Sequence, residues 1–214
     1  GLTATGASSP IQIGGLTSGT AYTFTVRGQN PGGLGAASAA SNSVTPYDGY
    51  ESIATLYGAG ASSITFSSIP STYTHLQIRA LVRTSNTSGV NWHALLRFNS
   101  DTGNNYTYHG LRGDGSSAIS YGAANQSIGL TINSGDDANT ALGWGVGVVD
   151  ILDYANTNKN KTIRTLTGFD ENGSGMIELI SSLWMNTTAV STITLSANSG
   201  TFLSNSVFEL YGIR

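Results

Sequence analysis

Apolar and polar residues alternate with a period of two along much of this chain, the mark of strands with one buried and one wet face. Thr74–Thr84 shows it best: Leu76, Ile78, Ala80 and Val82 share one face, with Gln77, Arg79 and Arg83 on the other. Val90–Phe98 repeats the pattern with Val90, Trp92, Ala94, Leu96 and Phe98, and the intervening Ser85-Asn-Thr-Ser-Gly89 predicts a hairpin. The same reading predicts strands over Tyr50–Leu56, Ser63–Ser67, Tyr106–Leu111, Ser127–Ile132, Leu142–Tyr154, Thr162–Asp170, Met176–Met185, Val190–Ser196 and Val207–Ile213. Many short strands separated by Gly- and Asn-rich turns predict an all-β chain, its larger part an antiparallel, jelly-roll-like β-sandwich burying Leu76, Ile78, Val82, Trp92, Leu96 and Phe98.

The first 46 residues read separately. Pro10–Leu16 is a short alternating strand with Ile11 and Ile13 on one face, and Ala21–Arg27 alternates with Tyr22, Phe24 and Val26 on the side to be buried. Thr17-Ser-Gly19 and Asn30-Pro-Gly-Gly33 are turns, Ser41–Thr45 is a final strand, and Tyr47-Asp-Gly-Tyr50 is a hinge. The expected division is therefore 1–46 and 47–214.

Composition narrows the classes. Of 214 residues, 28 are Gly and 10% are charged, against roughly a quarter in an average soluble domain. Net charge is −3 with no Lys/Arg run, which disfavours binding to nucleic acid phosphates. Absence of Cys removes disulfides, thiolate metal sites and Cys nucleophiles together. No apolar run approaches the ~20 residues of a membrane-spanning helix, so no membrane insertion is expected.

Candidate chemistry is sparse. Neither a Gly-x-Ser-x-Gly elbow nor a phosphate loop occurs, and no catalytic residue, cofactor or metal is assigned. His75, His93 and His109 lack the short fixed spacing of a zinc motif, although His75 and His93 fall on the outward faces of neighbouring predicted strands. Asn99-Ser-Asp101-Thr-Gly103-Asn104-Asn105 gathers oxygen ligands as calcium loops do, and equally as ordinary turns do. Asn99 and Asp101, with Tyr106 and Tyr108 beside them as exposed stacking faces, form the candidate ligand-binding set. A glycosidase pair would draw on Asp101, Asp114, Asp136, Asp137, Asp150, Asp153, Asp170, Glu171, Glu178 or Glu209. Asp150 shares a strand face with apolar residues, so it must be paired, with an Arg or a backbone amide as the expected partner, or sit at the strand's exposed end. Alternating Gly143, Gly145 and Gly147 give one strand a bare face, for close sheet packing or subunit contact.

Two resemblances add to this. Leu16-Thr-Ser-Gly-Thr-Ala-Tyr22, the run from Tyr22 to Val26 and Ser43-Val-Thr-Pro46 resemble the C-terminal half of a fibronectin type III domain, with Tyr22 as its corner tyrosine. The Trp-bearing first half is absent, so the apolar faces need an opposing sheet; chain before Gly1 is expected to supply it, strand donation by a neighbour being the alternative. Phe66–Arg79, Leu96–Gly103 with Tyr106, Asp150–Tyr154 with Asn158 to Arg164, and Phe208–Arg214 resemble C-terminal domains of tailed-phage virion proteins. The resemblance implies a non-enzymatic structural or adhesion component of a tail fibre, baseplate or capsid surface, on an extracellular particle. It also implies other virion proteins as partners, a homotrimer, and contact with a host-surface glycan. The alternatives are a carbohydrate-binding module of a secreted bacterial protein and, third, a polysaccharide hydrolase.

Overall fold

A computed structural model describes residues 1–46, 49–86, 92–135, 143–170 and 173–214, with Trp92 described by its backbone alone. The chain is all-β and divides into two compact units, Gly1–Gly49 and Tyr50–Arg214.

The first unit contains one hairpin, β1 (Gln29–Asn30) against β2 (Gly33–Leu34), turning at the predicted Asn30–Gly33 signal. Beyond it, Phe24 and Val26 donate their N–H groups to the hydroxyls of Ser41 and Ser38 at 3.0 Å, while Ser41 and Ser38 return N–H bonds to the Phe24 and Val26 carbonyls. Serine side chains thus stand in for backbone acceptors, and the expected strands over 21–27 and 41–45 reduce to a single Tyr22–Val44 bridge. No strand forms over 10–16. The Tyr22 hydroxyl accepts the Thr17 N–H at 3.0 Å, which holds the phenol below its ordinary pKa. Ile11 and Val26, expected on a buried side, are exposed, because this unit has no second layer among its described residues.

The second unit is an antiparallel sandwich of unequal sheets. Its strands are β3 (Tyr50–Tyr57), β4 (Ser63–Phe66), β5 (His75–Val82), β6 (Trp92–Phe98), β7 (Tyr106–Gly113) and β8 (Ala118–Gln126). They continue through β9 (Gly129–Ser134), β10 (Gly145–Leu152), β11 (Lys161–Asp170), β12 (Gly175–Trp184), β13 (Ile193–Ala197) and β14 (Val207–Ile213). The large sheet runs β3-β14-β5-β10-β11-β12-β7-β8 and the small one β4-β13-β6-β9. From β3 to β6 the chain crosses between sheets at every connection, so β5 and β6 are not the hairpin predicted across Ser85–Gly89.

The core lies between the layers. Leu76, Ile78 and Val82 of β5 meet Ala94, Leu96 and Phe98 of β6, all fully buried, as their alternation demands. Each of these side chains other than Ala94 contributes about 1.5 to 3 kcal/mol by leaving water. Val90 and the side chain of Trp92 lie outside the described residues. Gln77 and Arg83, expected to face water, are buried: Gln77 is covered on the outer face by Asp150 and Arg79, to which it is hydrogen-bonded, and Arg83 follows the end of β5 at a bridge to Gly135. Strand β8 has no counterpart among the predicted strands, since Ala118–Gln126 offers few large apolar residues to set a period.

Candidate functional site

The polar turn after β6 is wired inward. Asn99 takes a left-handed conformation (φ 49°), which Asn tolerates better than most residues. This points its carbonyl at the backbone N–H groups of Ser191 and Thr192, at 2.9 and 3.1 Å, while its amide donates to Ala189. The Asp101 carboxylate accepts from the Gly103 N–H, the Asn105 amide and the Trp184 indole N–H, at 2.8, 2.9 and 2.7 Å. Burial alone would raise its pKa, but these donors outweigh it and hold the carboxyl low.

Tyr106 is not the exposed stacking face expected beside this turn. It is fully buried, stacked on Trp184, and its hydroxyl accepts the Phe98 N–H. As the first residue of β7 it points into the sandwich. Burial pushes its phenol up to about 12. Tyr108, two residues on and half-buried, packs edge-on against Tyr121. The four candidate residues therefore do not converge on one open site.

The histidines separate. On β5, His75 accepts the Asp153 N–H, and His109 of β7 is exposed. A register shift in β6 between His93 and Leu95 turns His93 into the interior, where Nε2 lies 2.7 Å from the Glu178 carboxylate. Asn133 donates to the same oxygen. Burial favours neutral Glu178, yet His93, Asn133 and Tyr121 prevail and hold its pKa below the usual carboxylate range. This enclosed cluster had no sequence signal, because the bulge that aims His93 is invisible in the alternation. Among the described residues no group of three His, Asp or Glu side chains is arranged to hold a metal.

The carboxylates Asp101, Asp114, Asp150, Asp153, Glu178 and Glu209 each accept hydrogen bonds from within the chain. The partner that Asp150 requires is Gln77, whose amide donates at 2.8 Å. Asp136, Asp137 and Glu171 lie outside the described residues. Lys161, unremarked in sequence, is fully buried, its ammonium donating to the carbonyls of Asn156, Lys159 and Thr187. Burial pulls its pKa down.

The bare strand belongs to the interior. A Cβ on Gly145 would stand 1.9 Å from the Asn133 carbonyl, and one on Gly147 2.8 Å from Ile132, so these glycines let β10 approach β9. They offer nothing to a neighbouring subunit.

The outer face of the large sheet, in contrast, is open and apolar. In register across it lie Leu81 of β5, Val146 of β10 and Ile177 of β12, and one row along, Val148, Leu166, Leu179 and Leu111. All seven are exposed, Ile177 and Leu111 by 61% each. Gly168 between Val146 and Ile177 leaves a trough of about 860 Å³, walled by Trp144 and Met176. The next row is polar: Gln77, Asp150, Arg164, Ser181 and His109. At the β3 edge the Arg79 guanidinium lies 5.2 and 5.3 Å from the Tyr50 and Tyr211 rings. These residues were each read as part of a strand, but a strand pattern does not say which sheet receives a second layer on both sides.

No family model, curated protein or solved structure matches the chain.

Proposed function

We propose that this chain is a non-enzymatic structural or adhesion protein of a tailed-phage virion, working by assembly and surface contact on the extracellular particle, with other virion proteins as partners. The observation that carries the reading is the apolar band on the outer face of the large sheet. Roughly 600 Å² of exposed apolar side chain lies there, at or above the largest patch of a typical monomer, and such patches mark contact surfaces. Support also comes from the phage-like segments, which fall on the framework itself: Leu76 and Ile78 of β5, Leu96 and Phe98 of β6, Phe208 and Leu210 of β14 are core residues. The test is mass spectrometry of density-purified particles from the source lysate. Peptides of this chain at stoichiometric copy number support the reading, and their absence from intact particles overturns it.

A second reading, glycan contact, draws on the Tyr50–Arg79–Tyr211 corner beside the polar row of Gln77 and Asp150. The exposed Tyr50 ring, with half-buried Tyr211 and hydrogen-bonding groups beside it, suits a sugar's apolar face and hydroxyls. A glycan array probed with the intact chain and with a Tyr50→Ala variant tests it: binding lost in the variant supports this reading, and no binding by either removes it.

A further inference from the structure

We infer that the outer face of the large sheet is a self-complementary surface that pairs two copies of this chain face to face about a two-fold axis. The inference goes beyond the virion reading and does not depend on it, since a chain absent from particles can still pair.

The argument is in the register. Along the first row the residues run Leu81 (β5), Val146 (β10), Gly168 (β11), Ile177 (β12), Gly113 (β7) and Ala118 (β8). Large residues occupy one half, with a gap at Gly168, and small residues occupy the other, with a knob at Ile177. A two-fold axis laid along the strands between β11 and β12 sets β11 against the other copy's β12, β10 against β7 and β5 against β8. Ile177 then falls on Gly168, Val146 on Gly113 and Leu81 on Ala118. In this row each pair sets a large side chain over a small one, and the pairing is reciprocal, as an isologous interface requires.

The second row obeys the same operation. Leu166 meets Leu179, Val148 meets Leu111, and the charged Arg79 meets Ser120. In the third row Asp150 comes opposite His109 and Arg164 opposite Ser181, so no like charges face each other. Aligned packing of twisted sheets holds strand directions within about 30°, which keeps the closest contacts on β10, β11, β12 and β7.

The area suffices. Two bands of roughly 600 Å² with their polar rims reach the ~1,200 to 2,000 Å² of a stable interface. The arrangement is two-fold, unlike the three-fold assembly that resemblance to phage fibres implies.

The test is sedimentation equilibrium of the 214-residue chain from 1 to 100 µM, with Ile177→Lys alongside. The expected result is twice 22.1 kDa for the parent and, for the variant, association about 100-fold weaker with an unchanged far-ultraviolet circular dichroism spectrum. A monomer throughout, a three-fold mass, or a dimer indifferent to Ile177→Lys overturns the inference. Should Ile177→Lys fail to fold, Ile177→Cys decides: the parent has no Cys, so a short bis-maleimide must yield a covalent dimer from this variant and none from Leu34→Cys. Equal yields from the two overturn the pairing.

Discussion

The Trp184 indole N–H donates to Asp101 Oδ2 at 2.7 Å and ties the end of β12 to the turn leaving β6. The bond joins the large sheet to the small one at the mouth of the core, and it turns the Asp101 carboxylate inward while Ser100, Thr102 and Asn104 of the same turn stay exposed. The Asp101 carboxylate acts only as an acceptor toward Gly103, Asn105 and Trp184.

Asp101→Asn puts a donor where acceptors are needed, and should lower unfolding free energy by about 1 to 3 kcal/mol. The folded-state pKa of Asp101 is lowered, so its stabilisation is full above the unfolded value and is lost as pH falls through the folded one. Urea titrations at pH 7 and pH 3 check this: the gap between parent and variant must narrow at pH 3.

Gly147→Ala forces a methyl group to within 2.8 Å of both Ile132 Cγ atoms. The substitution should cost about 1 to 3 kcal/mol by overpacking. Because the obstruction is a side chain, Gly147→Ala/Ile132→Ala should be more stable than the two single losses add up to. Strict additivity in a thermal-melt cycle would count against close β9–β10 packing as the reason for glycine.

Alkaline pH should weaken the fold through Tyr106. Its phenol is held up to about 12, against 10.0 in the unfolded chain, so the unfolded state ionises first and stability falls as pH rises between those values. The loss is on the order of 2 to 3 kcal/mol. Tyr106→Phe removes this share of the pH dependence while leaving the Phe98 N–H without its acceptor, which near-ultraviolet circular dichroism melts at pH 8 and pH 11 would resolve.

Glu178→Gln leaves His93 facing a neutral amide in a closed interior. A loss of about 1 to 3 kcal/mol is expected, the cost of weakening buried hydrogen bonds to a carboxylate and leaving a partner group unsatisfied. Removing both, as His93→Leu/Glu178→Met, should be milder than the sum of the singles. Since the Glu178 pKa is lowered in the folded state, its contribution vanishes as pH falls through that value, and the variant should show a shallower acid transition.

Strand existence was legible because most strands bury one face and therefore alternate. Leu76, Ile78, Leu96 and Phe98 are core for that reason. Partnership was not legible: β5 and β6 read as a hairpin, yet they occupy different sheets, because alternation fixes a face and not a neighbour. Tyr106 was read from its polar surroundings in sequence, whereas its place as first residue of β7 decides its direction. The bulge beside His93 and the accumulation of apolar residues on the outer sheet face depend on register between distant strands, which no local pattern encodes.

The chain has two lysines, and their surroundings differ completely. Lys161 is enclosed by three carbonyl oxygens, while the Lys159 side chain is 60% exposed and paired with Asp153 at the surface. To an acylating reagent the folded protein thus presents one side-chain amine. Peptide mapping after amine labelling should place the side-chain label on Lys159, and label recovered on Lys161 would report that the shell around it had opened.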